Sequence, residues 1–137
     1  MSLGNSLDPL RHHVSVIHVS AVFHLFSEQQ QLQLARRLGA LLSPLPGSIV
    51  LGKHVGLPVA GIKTDACGGV QEMYCHSPDS WRAMWEGAVF EPGSVLVRAE
   101  LSDGTDMPTE RPFEEQGTDN PERWRSTQWL RWSVERV

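Results

Sequence analysis

A chain of 137 residues has room for one core and one domain, not two. With 40% hydrophobic and 20% charged residues, it has the composition of a folded globular protein rather than a disordered one. Sixteen acidic against twelve basic residues give a net charge of −4 with no basic stripe, which excludes the usual electrostatic footprint of a nucleic-acid or anionic-membrane binder.

Asp8-Pro9 marks a turn, after which Val14–Ser20 opens the most apolar run in the chain, VSVIHVSAVFHLF. Its β-branched residues predict a buried strand, with Ser20, His24 and two phenylalanines gathered where that strand ends. Ser27 with Gln30 three positions later has the form of a capping box. Leu34, Ala35, Leu38, Leu41 and Leu42 recur at helical spacing, with Gln31, Gln33, Arg36 and Arg37 facing outward. Ser43-Pro44 and Pro46-Gly47 stop this helix, and SIVLG (48–52) reads as a second buried strand. Two strands apolar on both faces, with a helix between them, are the sequence form of a βαβ unit in a covered parallel sheet.

Residues 53–76 hold glycines, both cysteines and few periodic apolar positions, and read as a long loop. Ser77-Pro78 restarts a helix, with Ser77 as N-cap and Trp81, Met84, Trp85 and Ala88 on its apolar face. Trp81 and Trp85 read as core anchors. Residues 95–101 and 128–137 alternate apolar and polar, as half-exposed strands do, and are expected to form an antiparallel pair at a more exposed edge. In the second of these Trp129 points opposite to Trp132 and is expected at the surface. Residues 102–126 are polar and rich in Pro, Gly and Glu, an exposed insertion in a single domain spanning 1–137.

The longest apolar run falls short of the ~20 residues that cross a bilayer, and MSLGNSLDPLRHH has no apolar core of a signal peptide. Cys67 and Cys75 are too few for a disulfide framework and read as reduced thiols of a cytoplasmic protein. With His76 and, further away, His54 they raise the question of zinc, but a Cys-x7-Cys spacing does not match the usual knuckle and the fourth ligand has to be borrowed from elsewhere in the chain, so no metal is expected.

This order of elements resembles the C-terminal half of a class I S-adenosylmethionine-dependent methyltransferase, an α/β fold with a Rossmann-like sheet whose last strand slips in antiparallel beside the sixth. The segments HVSAVFHLFSEQQQLQLARRL, LLSPLPGSIVLGKHVG and CHSPDSWRAMWE look like fungal secondary-metabolite methyltransferases that act on small molecules. The resemblance covers most of residues 13–101. It implies a partial sheet whose strands correspond to the fourth through seventh, and S-adenosylmethionine as cofactor. One departure stands out: no glycine-rich turn follows an apolar strand, and no acidic residue ends a second strand to hold the ribose hydroxyls.

Ligands of open α/β sheets lie beyond the carboxyl ends of the strands. The resemblance therefore sets Ser20 and Ala21 beside the methionine end of the cofactor and His24 toward the acceptor, where a neutral imidazole takes a proton from a hydroxyl or orients a carboxylate. His54, between Gly52 and Gly56 at the end of the neighbouring strand, is a second substrate-side candidate, the glycines implying close backbone approach or unusual dihedrals. His18, inside the strand, reads as a core residue. Two alternatives stay open. One is a non-catalytic α/β module whose open sheet edge is covered by a second copy or another chain. The other is an unrelated small α/β enzyme using His24 and His54.

Overall fold

The computed structural model describes residues 7–63, 72–102 and 128–137. The expected insertion falls on residues outside these, apart from Ser102, and so does Cys67. In chain order the elements are β1 (Val16–Ser20), α1 (Glu28–Leu41), β2 (Ile49–Val55), β3 (Gly61–Lys63), β4 (Met73–Cys75), α2 (Pro78–Trp85), β5 (Val95–Ser102) and β6 (Trp129–Arg136). Short 3-10 turns occupy Asp8–Leu10 and Phe23–Leu25.

Both helices start as their sequences require. Ser27 accepts from the Gln30 N–H while the Gln30 side chain accepts from the Ser27 N–H, a reciprocal box that satisfies two free donors of α1. Ser77 and Ser80 close the same box on α2, with Pro78 in its first turn. The main sheet has the order β1-β2-β6-β5. β1 runs parallel to β2, and β6 runs antiparallel to both β2 and β5. This α/β arrangement is compatible with a partial Rossmann-like methyltransferase fold, with the antiparallel last strand beside the one before it.

The antiparallel pair lies at one edge of the sheet, with β5 outermost and β6 between β2 and β5, where Leu130, Trp132 and Val134 are buried. Two expectations need correction. β1 is not a covered strand but the opposite edge, with Val16 62% exposed and His18 on the surface rather than in the core. The segment 53–76 is not all loop. β2 runs on to Val55, and β3 pairs antiparallel with β4 as a separate two-stranded sheet. Three-residue strands carry too little periodicity to be read from sequence.

The core lies on one face of the main sheet. Val50, Leu130, Trp132, Val134, Val95 and Val97 meet Phe23, Ala35, Trp81 and Trp85 there, all buried. At its centre the Trp81 ring touches Phe23 at 4.9 Å, Trp132 at 4.9 Å and Trp85 at 5.9 Å, largely edge-on or tilted, the arrangements that aromatic quadrupoles favour. Gln31 is another correction. It is fully buried, and its amide donates to the carbonyls of Phe26 and Tyr74, tying α1 to the Phe23–Leu25 turn and to β4.

Candidate functional site

The carboxyl ends of β1 and β2 do not stop together, and that mismatch builds the site. The ladder between them ends at Ser20 and Lys53, with one further bond from the Ala21 N–H to the Lys53 carbonyl at 2.8 Å. Ala21 then turns to a φ of 58°, a left-handed conformation that costs a residue with a Cβ and ends the strand abruptly. β2 continues two residues further, so the N–H of Val55 faces a place where β1 has no backbone left to offer. His24 supplies the acceptor: Val55 N–H donates to its Nδ1 at 3.4 Å. A neutral imidazole accepting at Nδ1 carries its hydrogen on Nε2, so His24 has one ring N–H left to donate.

Ser20 and Ala21 are exposed at this rim, and His24 lies just behind it, 7% exposed. Burial lowers the His24 pKa below its ordinary value, which favours the neutral ring. Trp129 stands edge-on to it with centroids 6.4 Å apart, and the Lys53 ammonium lies 6.0 Å from the Trp129 ring. Trp129 is therefore not at the surface; it is 4% exposed, in a small cluster with Val55, Met73 and Cys75. Sequence reasoning missed Lys53 and Trp129 because one was read as the first residue of a loop and the other as a surface residue. The alternation of β6 does put Trp129 on the face opposite Trp132, but β4 covers that end of the face.

His54 sits apart from this rim. It is 1% exposed, on the core face of β2, with its ring 4.6 Å from Trp81 and 5.4 Å from Phe23. Trp132 Nε1–H donates to its Nδ1 at 3.1 Å, leaving a buried Nε2–H without a partner. Burial, reinforced by His24 and His76 nearby, pushes its pKa down to about 3. The flanking glycines reflect close approach: a Cβ on Gly52 would run into the Val19 carbonyl oxygen, and one on Gly56 would come 2.7 Å from Leu130 Cβ. Cys75 is a buried free thiol whose pKa burial raises to about 11. Among the described residues no three His, Cys, Asp or Glu side chains are grouped to hold a metal ion. Nor is any helix among them long and apolar enough to cross a membrane.

A cavity of about 570 Å³ lies elsewhere, over the second face of the main sheet, lined by His18, Leu51, Lys53, Arg98, Glu100 and Arg131 among others. It is an open trough on a strand surface, whereas the Ser20–His24 rim has the strand-end position expected for a ligand.

No family model matches the chain. It is 34% identical to the O-methyltransferase phiE of a fungal species (strain ATCC 74256), over 85% of this chain and 41% of that protein. The chain resembles fungal methyltransferases over most of its length. A second relative, the Asnovolin E/Chermesin D methyltransferase nvfJ of Aspergillus novofumigatus, is 30% identical over 68% of this chain and 34% of itself. A third, the methyltransferase adrK of Penicillium roqueforti, is 28% identical over 61% of this chain and 30% of itself. The chain thus spans less than half the length of these curated methyltransferases.

Proposed function

We propose that this chain is part of a cytoplasmic S-adenosylmethionine-dependent methyltransferase acting on a small-molecule secondary metabolite, with an oxygen or carbon acceptor. The observation that carries the reading is the likeness to a named O-methyltransferase over 85% of the chain. The strand-end rim supports it. Ser20 and Ala21 are exposed at the end of β1, where the resemblance puts the methionine end of the cofactor, and the left-handed Ala21 ends the strand there. These residues fit one end of the cofactor only; the described residues hold no glycine-rich turn and no strand-end carboxylate for its ribose. S-adenosylmethionine brings an activated methyl group on a sulfonium, so the protein's work is proximity and orientation.

For His24 the tautomer favours orientation over proton abstraction. Its lone pair is engaged by Val55, and its Nε2–H is the group left to donate to an acceptor oxygen. His54 takes the substrate-side role in this proposal only if the core around Trp81 opens, since it is sealed at 1% exposure. Isothermal titration of the chain with S-adenosylmethionine tests the reading: weak, saturable heat that is lost in Ala21→Pro supports it. No heat at millimolar cofactor, from a chain folded by circular dichroism, overturns binding by this chain.

The second reading is a non-catalytic module covered along its open edge by a second copy or another chain. Exposed Val16 on the outer side of β1 favours it. Residues 15, 17, 19 and 21 direct their backbone groups toward β2, so those of 16, 18 and 20 face outward. Light scattering that shows a dimer, disrupted by His18→Pro at that edge, supports this reading; a monomer at high concentration removes its homodimer form.

A further inference from the structure

Three buried histidines from three separate elements lie close together: His54 from β2 and His76 from the junction of β4 and α2 pack on Trp81, and His24 from the Phe23–Leu25 turn stands against Trp129. The rings of His54 and His76 lie 4.6 and 5.2 Å from that of Trp81, and Phe23 beside His24 lies 5.4 Å from His54. Protonation of each ring meets an obstacle in the packing. At His24 the backbone N–H of Val55 points at Nδ1, and at His54 the indole N–H of Trp132 points at Nδ1. A proton added at either nitrogen would face another N–H, so the bond must break before the ring can charge. At His76, Ser80 Oγ receives the Ser77 N–H at 2.9 Å and lies 3.2 Å from the Ser77 carbonyl, to which its own hydrogen goes. It therefore accepts from His76 Nδ1–H, 2.9 Å away, which leaves the His76 lone pair on a buried Nε2 with no partner.

We infer that these three histidines form an acid-released latch, in which proton uptake breaks the Val55–His24 and Trp132–His54 bonds and frees the turn that carries the Ser20–His24 rim. The inference stands on this packing and does not depend on the methyltransferase reading.

The charged and titratable groups around the cluster do not relieve it. From α1 comes Glu28, the carboxylate acting on His76, and burial of His76 outweighs it, so that His76 still falls to about 4. From β2 comes Lys53, on the far face beside Trp129. Arg82 of α2 lies 3.6 Å from Asp79 at the surface, and Arg131 of β6 is exposed on the open sheet face. Burial raises both the Cys75 thiol and the Tyr74 phenol, so neither titrates in the acid range. No carboxylate is within bonding distance of His24 or His54 among the hydrogen bonds and ion pairs of the described residues.

The sign follows from linkage. A histidine whose folded pKa lies below 6.5 contributes stability that is complete above pH 6.5 and is lost as pH falls toward the folded value, about 3 for His54 and about 4 for His76. His54 also feels repulsion from His24 and His76, which makes it the hardest of the three to charge while the latch is closed. Once it opens all three take up protons, so release is cooperative.

The test is side-chain nitrogen NMR of the whole chain from pH 8 to pH 4, with amide exchange at Val55 and tryptophan fluorescence on the same samples. Expected are Nε2–H tautomers for His24 and His54 and an Nδ1–H tautomer for His76 at pH 7.5. His54 and His76 should still be neutral at pH 6, and a transition of more than one proton should follow, in which Val55 protection falls by about tenfold or more. His24→Asn, whose amide oxygen can still accept from Val55 but cannot titrate, should reduce the proton number and move the midpoint down by roughly half a pH unit. Independent titration of the three rings near pH 6.5, with Val55 protection and fluorescence unchanged, overturns the latch. So does the opposite tautomer at His24 and His54, and the wild-type spectra decide this even if His24→Asn fails to fold.

Discussion

The two faces of the main sheet are built from the same strands and differ in nearly everything else. One carries Val50, Trp132, Val134, Val95 and Val97 against α2, the Phe23–Leu25 turn and α1, and it holds the aromatic centre. The other carries His18, Leu51, Arg98, Glu100 and Arg131 around an open trough, with β4 covering only the end at Val55 and Trp129. Parallel strands ordinarily have helices on both faces. Among the described residues the parallel pair β1–β2 has that cover on one side, which is why an apolar strand such as β1 alternates between exposed and half-buried positions with none buried. Stability should therefore be concentrated on one face and tolerance to change on the other.

Four substitutions sharpen that contrast, from the largest expected effect to the smallest. Trp81→Ala removes the ring on which Phe23, His54, His76, Trp85 and Trp132 converge, and should cost about 3–5 kcal/mol in urea unfolding monitored by far-UV circular dichroism. A loss below 1 kcal/mol would mean that the aromatic centre is not the core. Gly52→Ala drives a methyl group into the Val19 carbonyl between β1 and β2, and should cost more than about 1 kcal/mol and loosen amide protection along β1. Ser27→Ala opens the capping box of α1, which is exposed at that end, and should cost about 1 kcal/mol, with Ser27→Asp restoring most of it. Arg98→Ala, on the open face of the edge strand, should stay within about 0.5 kcal/mol. A larger loss there would show that the open face is covered in solution and would favour the partner-bound reading.

Much of the fold was legible locally. The Ser27–Gln30 and Ser77–Pro78 signals named the helix starts, because caps are satisfied by residues three positions away in sequence. The alternation of β5 and β6 named their two faces, because side chains on a strand alternate whatever the strand pairs with. At the candidate site, Ser20, Ala21 and His24 could be placed at a strand end from the sequence. The roles of His54, Gln31 and Trp129 could not. A histidine between glycines gives no local sign that an indole N–H will seal it inside, and a glutamine on a helix gives none that two distant carbonyls will hold its amide.

By itself, then, the sequence determined the local quantities: where helices begin, which strand residues share a face, and that an apolar strand ends in Ser20, Ala21 and a histidine. Only the tertiary structure decided that β6 enters between β2 and β5, that β1 is left at the edge, and that His24 closes over the unpaired N–H of Val55. Those outcomes depend on which strand ends first beside which neighbour. That is a difference of two residues between segments some thirty positions apart, and no short-range pattern encodes it.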